Sequence, residues 1–312
     1  MYKRQTKVAF ESIRSAILQV RADYVKSLEK PIQNWSRELD LSLLNAKIAS
    51  RDEYPKIAIL VPVKNAVPHL DSHLKLINAL DYPKDKTRLV YAEGGSTDGT
   101  LVELKKFADD NPFGLAEVRV IENAPYYTVP RGERYLRSLQ LDRRRTIAQA
   151  RNHAIEFGLE DQDEWVLWLD ADVVEAPANI IQTLLAENAK VVTPNCVREY
   201  GGPSFDMNAF FNTMGDDKDY HPKSISRRLT QPSANTFLRL HLSDLRYMDR
   251  VKLSSVGGTM LLVDANIHRA GLTFPEEPYR FLIETEAFGR MAKDLGIAPI
   301  GLPNVEILHA PD

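Results

Sequence analysis

Trp165-Val166-Leu167-Trp168-Leu169-Asp170-Ala171-Asp172 is an apolar run that ends in acid. A strand with one wet face alternates apolar and polar residues, so an unbroken apolar run predicts a strand covered on both faces. That strand delivers two carboxylates, separated by one residue, to its C-terminal edge. Carboxylate oxygens suit hard divalent cations such as Mn²⁺ or Mg²⁺. A cation held there can bridge a diphosphate and offset the charge that develops as a nucleotide leaves. On this reading Asp170 and Asp172 are metal ligands, and Asp172 is a catalytic residue. The plainer alternative makes Asp172 a cap for the next segment and Asp170 a solvated strand end.

Outward from this strand the chain alternates strand and helix. IAILVPV (57–63), RLVYAEGG (88–95), VRVIENA (118–124) and KVVTPNCV (190–197) read as strands. HLDSHLKLINAL (69–80), LVELKKFAD (101–109), RRRTIAQARNHAIEFGL (143–159) and ANIIQTLLAEN (178–188) carry helical apolar spacing. This order predicts an α/β domain, a Rossmann-like and mostly parallel sheet flanked by helices. Ligands bind such sheets beyond the carboxyl ends of the strands. Residues 200–252 are polar and irregular, an acceptor-facing insertion or a loop. At the other end, Phe10, Ile13, Ile17, Val20, Tyr24 and Leu28 form one apolar stripe on an amphipathic helix. The stripe suits packing on the main domain, a second copy or a membrane surface. Residues 1–54 thus read as a helical extension and connector, and 55–312 as the main domain.

Further candidates follow the strand ends. Asn65, beside Pro62 and Val63, follows the first strand and is placed to receive a nucleotide, or is a turn residue. Glu93-Gly94-Gly95-Ser96-Thr97-Asp98-Gly99-Thr100 follows the second, where glycines admit a close ligand and Glu93 can accept from a base or ribose. Helix capping by Thr97 or Asp98 competes with that role. Arg144 and Arg151 share one helix face, and guanidinium groups pair well with phosphate oxygens. Gly257 and Gly258 lie in a turn entering a strand, a floor for a pocket or a bulge. Glu284 and Glu286 stand two apart at a helix start, so one can face the acceptor while the other pairs elsewhere. His309, after an apolar run, is a candidate nitrogen ligand for the metal or a plain strand-end histidine.

Composition excludes several classes. The 312 residues are 44% hydrophobic and 27% charged, with a net charge of −3, so no basic footprint for nucleic acid exists. One cysteine, Cys196, precludes an intramolecular disulfide framework or a cysteine-cluster metal site. No apolar stretch approaches the ~18 residues that span a bilayer, and no secretory signal opens the chain. A cytoplasmic protein, with a membrane-surface contact open to the N-terminal helix, is the expectation.

The blocks RRRTIAQARNHAI (143–155), WVLWLDADVVEAP (165–177), VGGTMLLVDANIHRAG (256–271), FLIETEAFGRMAKDLG (281–296) and GLPNVEILH (301–309) resemble the fungal mannan-polymerase mannosyltransferases, glycosyltransferase family 62. The resemblance runs from about Lys56 to His309. It implies a GT-A glycosyltransferase fold, GDP-mannose as donor, Mn²⁺ as cofactor and retaining transfer of mannose to a glycan or other hydroxyl acceptor. It places Asp170, Asp172 and His309 at the metal, Arg144 and Arg151 on the donor side, and Glu284 or Glu286 toward the acceptor. Two features depart from it. The fungal enzymes carry a membrane anchor and stem where this chain has an amphipathic helix, and EGGSTDGT (93–100) is more like family 2 glycosyltransferases. An inverting transferase using a UDP-sugar, with Glu284 or Glu286 as general base, is therefore the first rival. A non-catalytic scaffold subunit that keeps the fold is the second. A nucleotidyltransferase lacks support, because VPVKNAVPHL (61–70) stands where its Gly-rich basic loop belongs.

Overall fold

The computed structural model describes residues 38–48, 54–125, 133, 136, 138–213 and 239–311. The expected N-terminal amphipathic helix, much of the connector and residues 214–238 of the irregular segment lie outside the described residues. Asp40–Asp312 form one compact unit.

β1 (Ile57–Val63), β2 (Thr87–Glu93) and β4 (Trp165–Leu169) are buried along their whole length, β1 and β4 as their unbroken apolar sequences require, and β2 with Arg88 and Glu93 buried beside an apolar centre. β3 (Glu117–Ile121) is only half-buried and forms one end of the sheet. β5 (Val173–Glu175), β6 (Val191–Val197), β9 (Val251–Lys252), β10 (Met260–Asp264) and β11 (Ile300–His309) complete it. The strand order is β3-β2-β1-β4-β10-β6-β11-β5, with β9 also on β11. β1 pairs parallel with β2 and β4, and β2 with β3, so Val63, Glu93 and Asp170 come to the same edge. β10 breaks the parallel run by lying antiparallel between β4 and β6. β11 is parallel to β6 and antiparallel to β5.

Helices cover the sheet. α1 (Leu41–Asn45) starts at Asp40, whose carboxylate accepts from the Ser42 amide. α2 (Val67–Ala79) and α3 (Thr100–Asp110) follow β1 and β2. α4 (Gln140–Gly158) buries Ala148, Ala150, Ala154 and Gly158, small residues that let it approach closely, together with Arg151. A Cβ at Gly158 would stand 2.9 Å from Val90 Cγ1, so the helix end needs glycine to reach β2. α5 (Ile180–Ala186), α6 (Ala265–Arg269) and α7 (Thr285–Asp294) follow in order. Trp168 meets Phe274 edge-on at 5.0 Å, and Phe274 stacks on Phe288 at 4.9 Å, forming an aromatic layer beside β4. A separate pair, β7 (Phe210–Asn212) and β8 (Arg239–His241), runs antiparallel. Among the described residues no helix is long and apolar enough to cross a membrane.

Candidate active site

β4 ends at Leu169, opposite Met260 of β10, so Asp170 emerges beside the turn that precedes β10. The Asp170 amide donates to Thr259 O at 3.0 Å. Its carboxylate accepts from Arg151 Nη2 at 2.9 Å. Burial pushes the Asp170 carboxyl up to about 7, with Arg151 opposing that rise. Asp172 faces a different partner. β5 and β11 pair His309 with Val173, which brings His309 Nε2 within 3.1 Å of Asp172 Oδ2. Burial raises the Asp172 pKa, yet the His309 hydrogen bond and charge outweigh it and hold the carboxyl below its ordinary value. For His309 the balance is the mirror image: burial lowers its pKa and Asp172 raises it more. His309 Nδ1 lies 2.6 Å from Ala310 O, and Phe205 stacks on the ring at 3.8 Å.

The arginines form a ladder with Glu284. Arg144 and Arg151, two helical turns apart on α4, reach the two oxygens of one carboxylate. Arg144 Nη1 is 2.9 Å from Glu284 Oε2, and Arg151 Nε is 3.1 Å from Oε1. Arg151 is 2% exposed and also donates to Gly258 O at 3.3 Å. Glu284 precedes α7 at φ +59°, an uncommon backbone for a non-glycine residue, and its carboxylate does not cap the helix but goes to the arginines. Glu286 is buried apart from it and meets Arg239 at 3.4 Å. Burial raises its pKa against the pull of Arg144 and Arg239. The separation of Glu284 and Glu286 onto different faces is thus realised as two different arginine pairings. Arg145 instead pairs with Glu277 at 2.7 Å.

The loops after β1 and β2 interlock. Asn65, at φ +52°, donates its amide to Ser96 Oγ at 2.8 Å and accepts from the Thr97 amide at 2.8 Å. Glu93 is 1% exposed, and its oxygens accept from the amides of Gly95 and Ser96 at 3.0 and 2.5 Å. Asp98 accepts from Thr100 and from the Val67 amide. Pro62 and Val63 lie within buried β1, where Val63 O accepts from the Gly94 amide at 3.0 Å. The carboxylates of Glu93 and Asp98 are therefore engaged in holding the loops together, Glu93 buried and Asp98 at the surface.

Sequence reading brought Asp172 with His309, and Arg144 with Arg151, to one site, and the structure joins both pairs. Asp170 is turned to Arg151 rather than to His309, and among the described residues no three His, Cys, Asp or Glu side chains form a metal cluster. The donor set nevertheless fits a divalent cation. Asp172 Oδ1 is buried with no hydrogen-bond partner, and the Nδ1 contact to a carbonyl orients His309 so that Nε2 faces Asp172. Phe205, Asp206 and Asn208 were missed. They lie in the polar segment after β6, where no periodicity marks them, yet Asn208 Oδ1 accepts from Arg144 at 3.2 Å. Gly257 and Gly258 border the same site: a Cβ at Gly257 would meet Asp206 Oδ2 at 1.8 Å, and one at Gly258 would meet Arg151 Nη2 at 2.3 Å.

Known proteins share this architecture. The chain is 28% identical over 271 residues to the Schizosaccharomyces pombe mannan polymerase complex subunit mnn9, covering 81% of this chain and 80% of that one. It is 27% identical over 277 residues to the Saccharomyces cerevisiae mannan polymerase II complex ANP1 subunit, covering 81% and 55%. A solved structure of GalNAc-T7 with UDP, GalNAc and Mn²⁺ superposes with a TM-score of 0.51 at 12% identity, covering 84% of this chain and 45% of that one. The fold is that of the GT-A glycosyltransferases. The Anp1 family pattern matches residues 36–278, from before α1 to the approach to Glu284, and by that match the protein belongs to the Anp1 family.

Proposed function

We propose that this protein is a glycosyltransferase of family 62 that moves mannose from GDP-mannose, with retention, to a glycan or other hydroxyl acceptor. The observation that carries the reading is the end of β4, where Asp170 is met by Arg151 and Asp172 by His309. Two carboxylates and an imidazole are the donor types for Mn²⁺, and Asp170, Asp172 and His309 are the residues to hold it. A cation there supplies positive charge toward a leaving diphosphate. Arg144 and Arg151 hold permanent charge on the same side, and exchange of either from Glu284 to a phosphate oxygen keeps every carboxylate near a cation. The interlocked loops at Asn65 and Glu93 offer backbone groups to the base and ribose. Mannose as the sugar is supported by relatives named as mannan polymerase subunits.

Retention is supported by the two glutamates. Both are buried and held by arginines, so neither is poised to take a proton from an acceptor hydroxyl, as an inverting enzyme requires. The relatives are named as complex subunits, which favours a partner chain for this one and keeps a non-catalytic scaffold role as a second reading.

The test is a thermal-shift panel of GDP, UDP, CDP and ADP, each with and without Mn²⁺, on wild type and Asp172→Ala. A ligand that binds only the folded state raises the midpoint. A Mn²⁺-dependent shift with GDP alone, absent in Asp172→Ala, is the expected result. A shift with UDP alone overturns the donor, and none with any nucleotide overturns the transferase reading. A β-linked product from GDP-α-mannose would sink retention, and tight nucleotide binding without transfer or hydrolysis would favour the scaffold.

A further inference from the structure

Between β6 and β7 the chain makes a turn whose side chains reach separate parts of the site. Phe205 stacks on His309, and Asn208 accepts from Arg144. Between them, Asp206 Oδ2 accepts from the Gly258 amide at 3.0 Å, the Thr259 amide at 3.3 Å and Thr259 Oγ1 at 3.0 Å. The turn is anchored on its own account: the Phe205 amide donates to Cys196 O at 2.7 Å, and the Asn208 amide to Asp206 Oδ1 at 3.2 Å.

The residues that Asp206 grips are the ones that hold Asp170. Thr259 O accepts from the Asp170 amide at 3.0 Å. Gly258 O accepts at 3.3 Å from Arg151 Nη2, the nitrogen that also holds Asp170 Oδ1 at 2.9 Å. An ionised acceptor strengthens each of its hydrogen bonds, so the carboxylate is a firmer clasp than a neutral group. Gly257 makes room for it, since a Cβ there would fall 1.8 Å from Asp206 Oδ2.

We propose that Asp206 is a positioning residue of the donor site, its carboxylate fixing the Gly257–Thr259 turn and through it the backbone and side chain of Asp170. The proposal rests on the reading of Asp170 and Asp172 as the diphosphate and cation side. Groups that orient a metal's or phosphate's ligands change affinity by about 10–100-fold when removed.

Two readouts test it on the full chain: amide hydrogen exchange without ligand, and GDP affinity with Mn²⁺ by calorimetry. In Asp206→Ala the amides of Asp170, Gly258 and Thr259 exchange at least ~10-fold faster, and the Kd for GDP with Mn²⁺ rises about 10–100-fold. Asp206→Asn, whose single amide oxygen still accepts from Gly258 and Thr259 but carries no charge, falls between Asp206→Ala and wild type in both. Gly257→Ala reproduces the loss, and the double variant Gly257→Ala/Asp206→Ala is no worse than Asp206→Ala, because the added methyl then meets no carboxylate. If Asp206→Ala is too unstable to study, the Gly257→Ala and Asp206→Asn pair carries the same comparison. Unchanged exchange, or faster exchange with unchanged affinity, overturns the proposal. So does an Asp206→Asn variant as damaged as Asp206→Ala, which would mean direct contact with ligand charge. Wild type that binds no nucleotide defeats the donor-site reading instead, and the exchange pattern still decides whether Asp206 clasps Asp170.

Discussion

Arg151 meets Asp170 at 2.9 Å while the same guanidinium meets Glu284 at 3.1 Å, so one buried cation is shared between two carboxylates. Its Cζ lies 5.3 Å from the centroid of the Trp168 ring, a cation–π contact. Removing one member of a buried ion pair leaves an uncompensated charge. Arg151→Ala is therefore expected to lower the unfolding free energy by about 3–5 kcal/mol in urea titrations. Arg151→Lys keeps the charge but cannot bridge both carboxylates, so its loss falls between. An alanine variant as stable as wild type would show that the ladder carries no stability.

Gly258→Ala attacks the same contact from outside. Its Cβ would stand 2.3 Å from Arg151 Nη2 and 2.9 Å from Thr285 Cγ2, so the guanidinium must move. Overpacking of this kind costs about 1–3 kcal/mol. Adding Gly258→Ala to Arg151→Ala is then expected to cost much less than it does alone, since the obstructed group is gone. Equal costs in both backgrounds would show that Thr285, not Arg151, bears the clash.

Asn65 combines a left-handed backbone with a side-chain acceptor for the Thr97 amide. Asn65→Asp keeps both properties and is expected to stay close to wild type in stability and nucleotide binding. Asn65→Val loses the acceptor and forces a β-branched residue to positive φ, at about 1–3 kcal/mol. Thermal unfolding compares the two, and equal midpoints would refute the role of the interlocked loops.

His268 predicts a pH dependence away from the candidate site. Trp168 Nε1 donates to its Nε2 at 3.1 Å, and its Nδ1 lies 2.9 Å from Leu272 O, an arrangement that a neutral ring satisfies. Burial pushes its pKa down to about 4, and Arg269 adds to the fall while the Leu272 bond opposes it. The unfolded chain takes up this proton near pH 6.5, whereas the folded one holds it off until about 4. Stability is thus fully present above 6.5 and falls as pH drops toward 4, by about 1.4 kcal/mol per pH unit for one proton. Buried His73, likewise lowered to about 4 by burial, adds a second proton over the same window. His268→Gln should remove one proton's slope between pH 6.5 and 4, and curves parallel to wild type would exclude the linkage.

The individual elements were legible where burial leaves a local mark. Trp165–Leu169 is continuously apolar because it is covered on both faces, and the small inward face of α4 repeats at helical spacing. The acidic pair after β4 was legible for the same reason, since an apolar strand must end where its charge begins. Pairing was less legible. VGGTMLLVDANIHRAG (256–271) announces a strand but not that it lies antiparallel between β4 and β6, because strand order depends on partners far along the chain.

The amino-acid order thus specified the main strands and helices and set two carboxylates, Asp170 and Asp172, at the end of one strand, since these follow from local periodicity and residue type. Packing alone set which side chains meet. His309 reaches Asp172 through the β5–β11 ladder, Glu284 meets Arg144 and Arg151 from a positive-φ residue before α7, and Asp206 grips Gly258 from a turn with no periodic signal. Such encounters arise when the whole sheet closes its core, and no local preference of the chain encodes them.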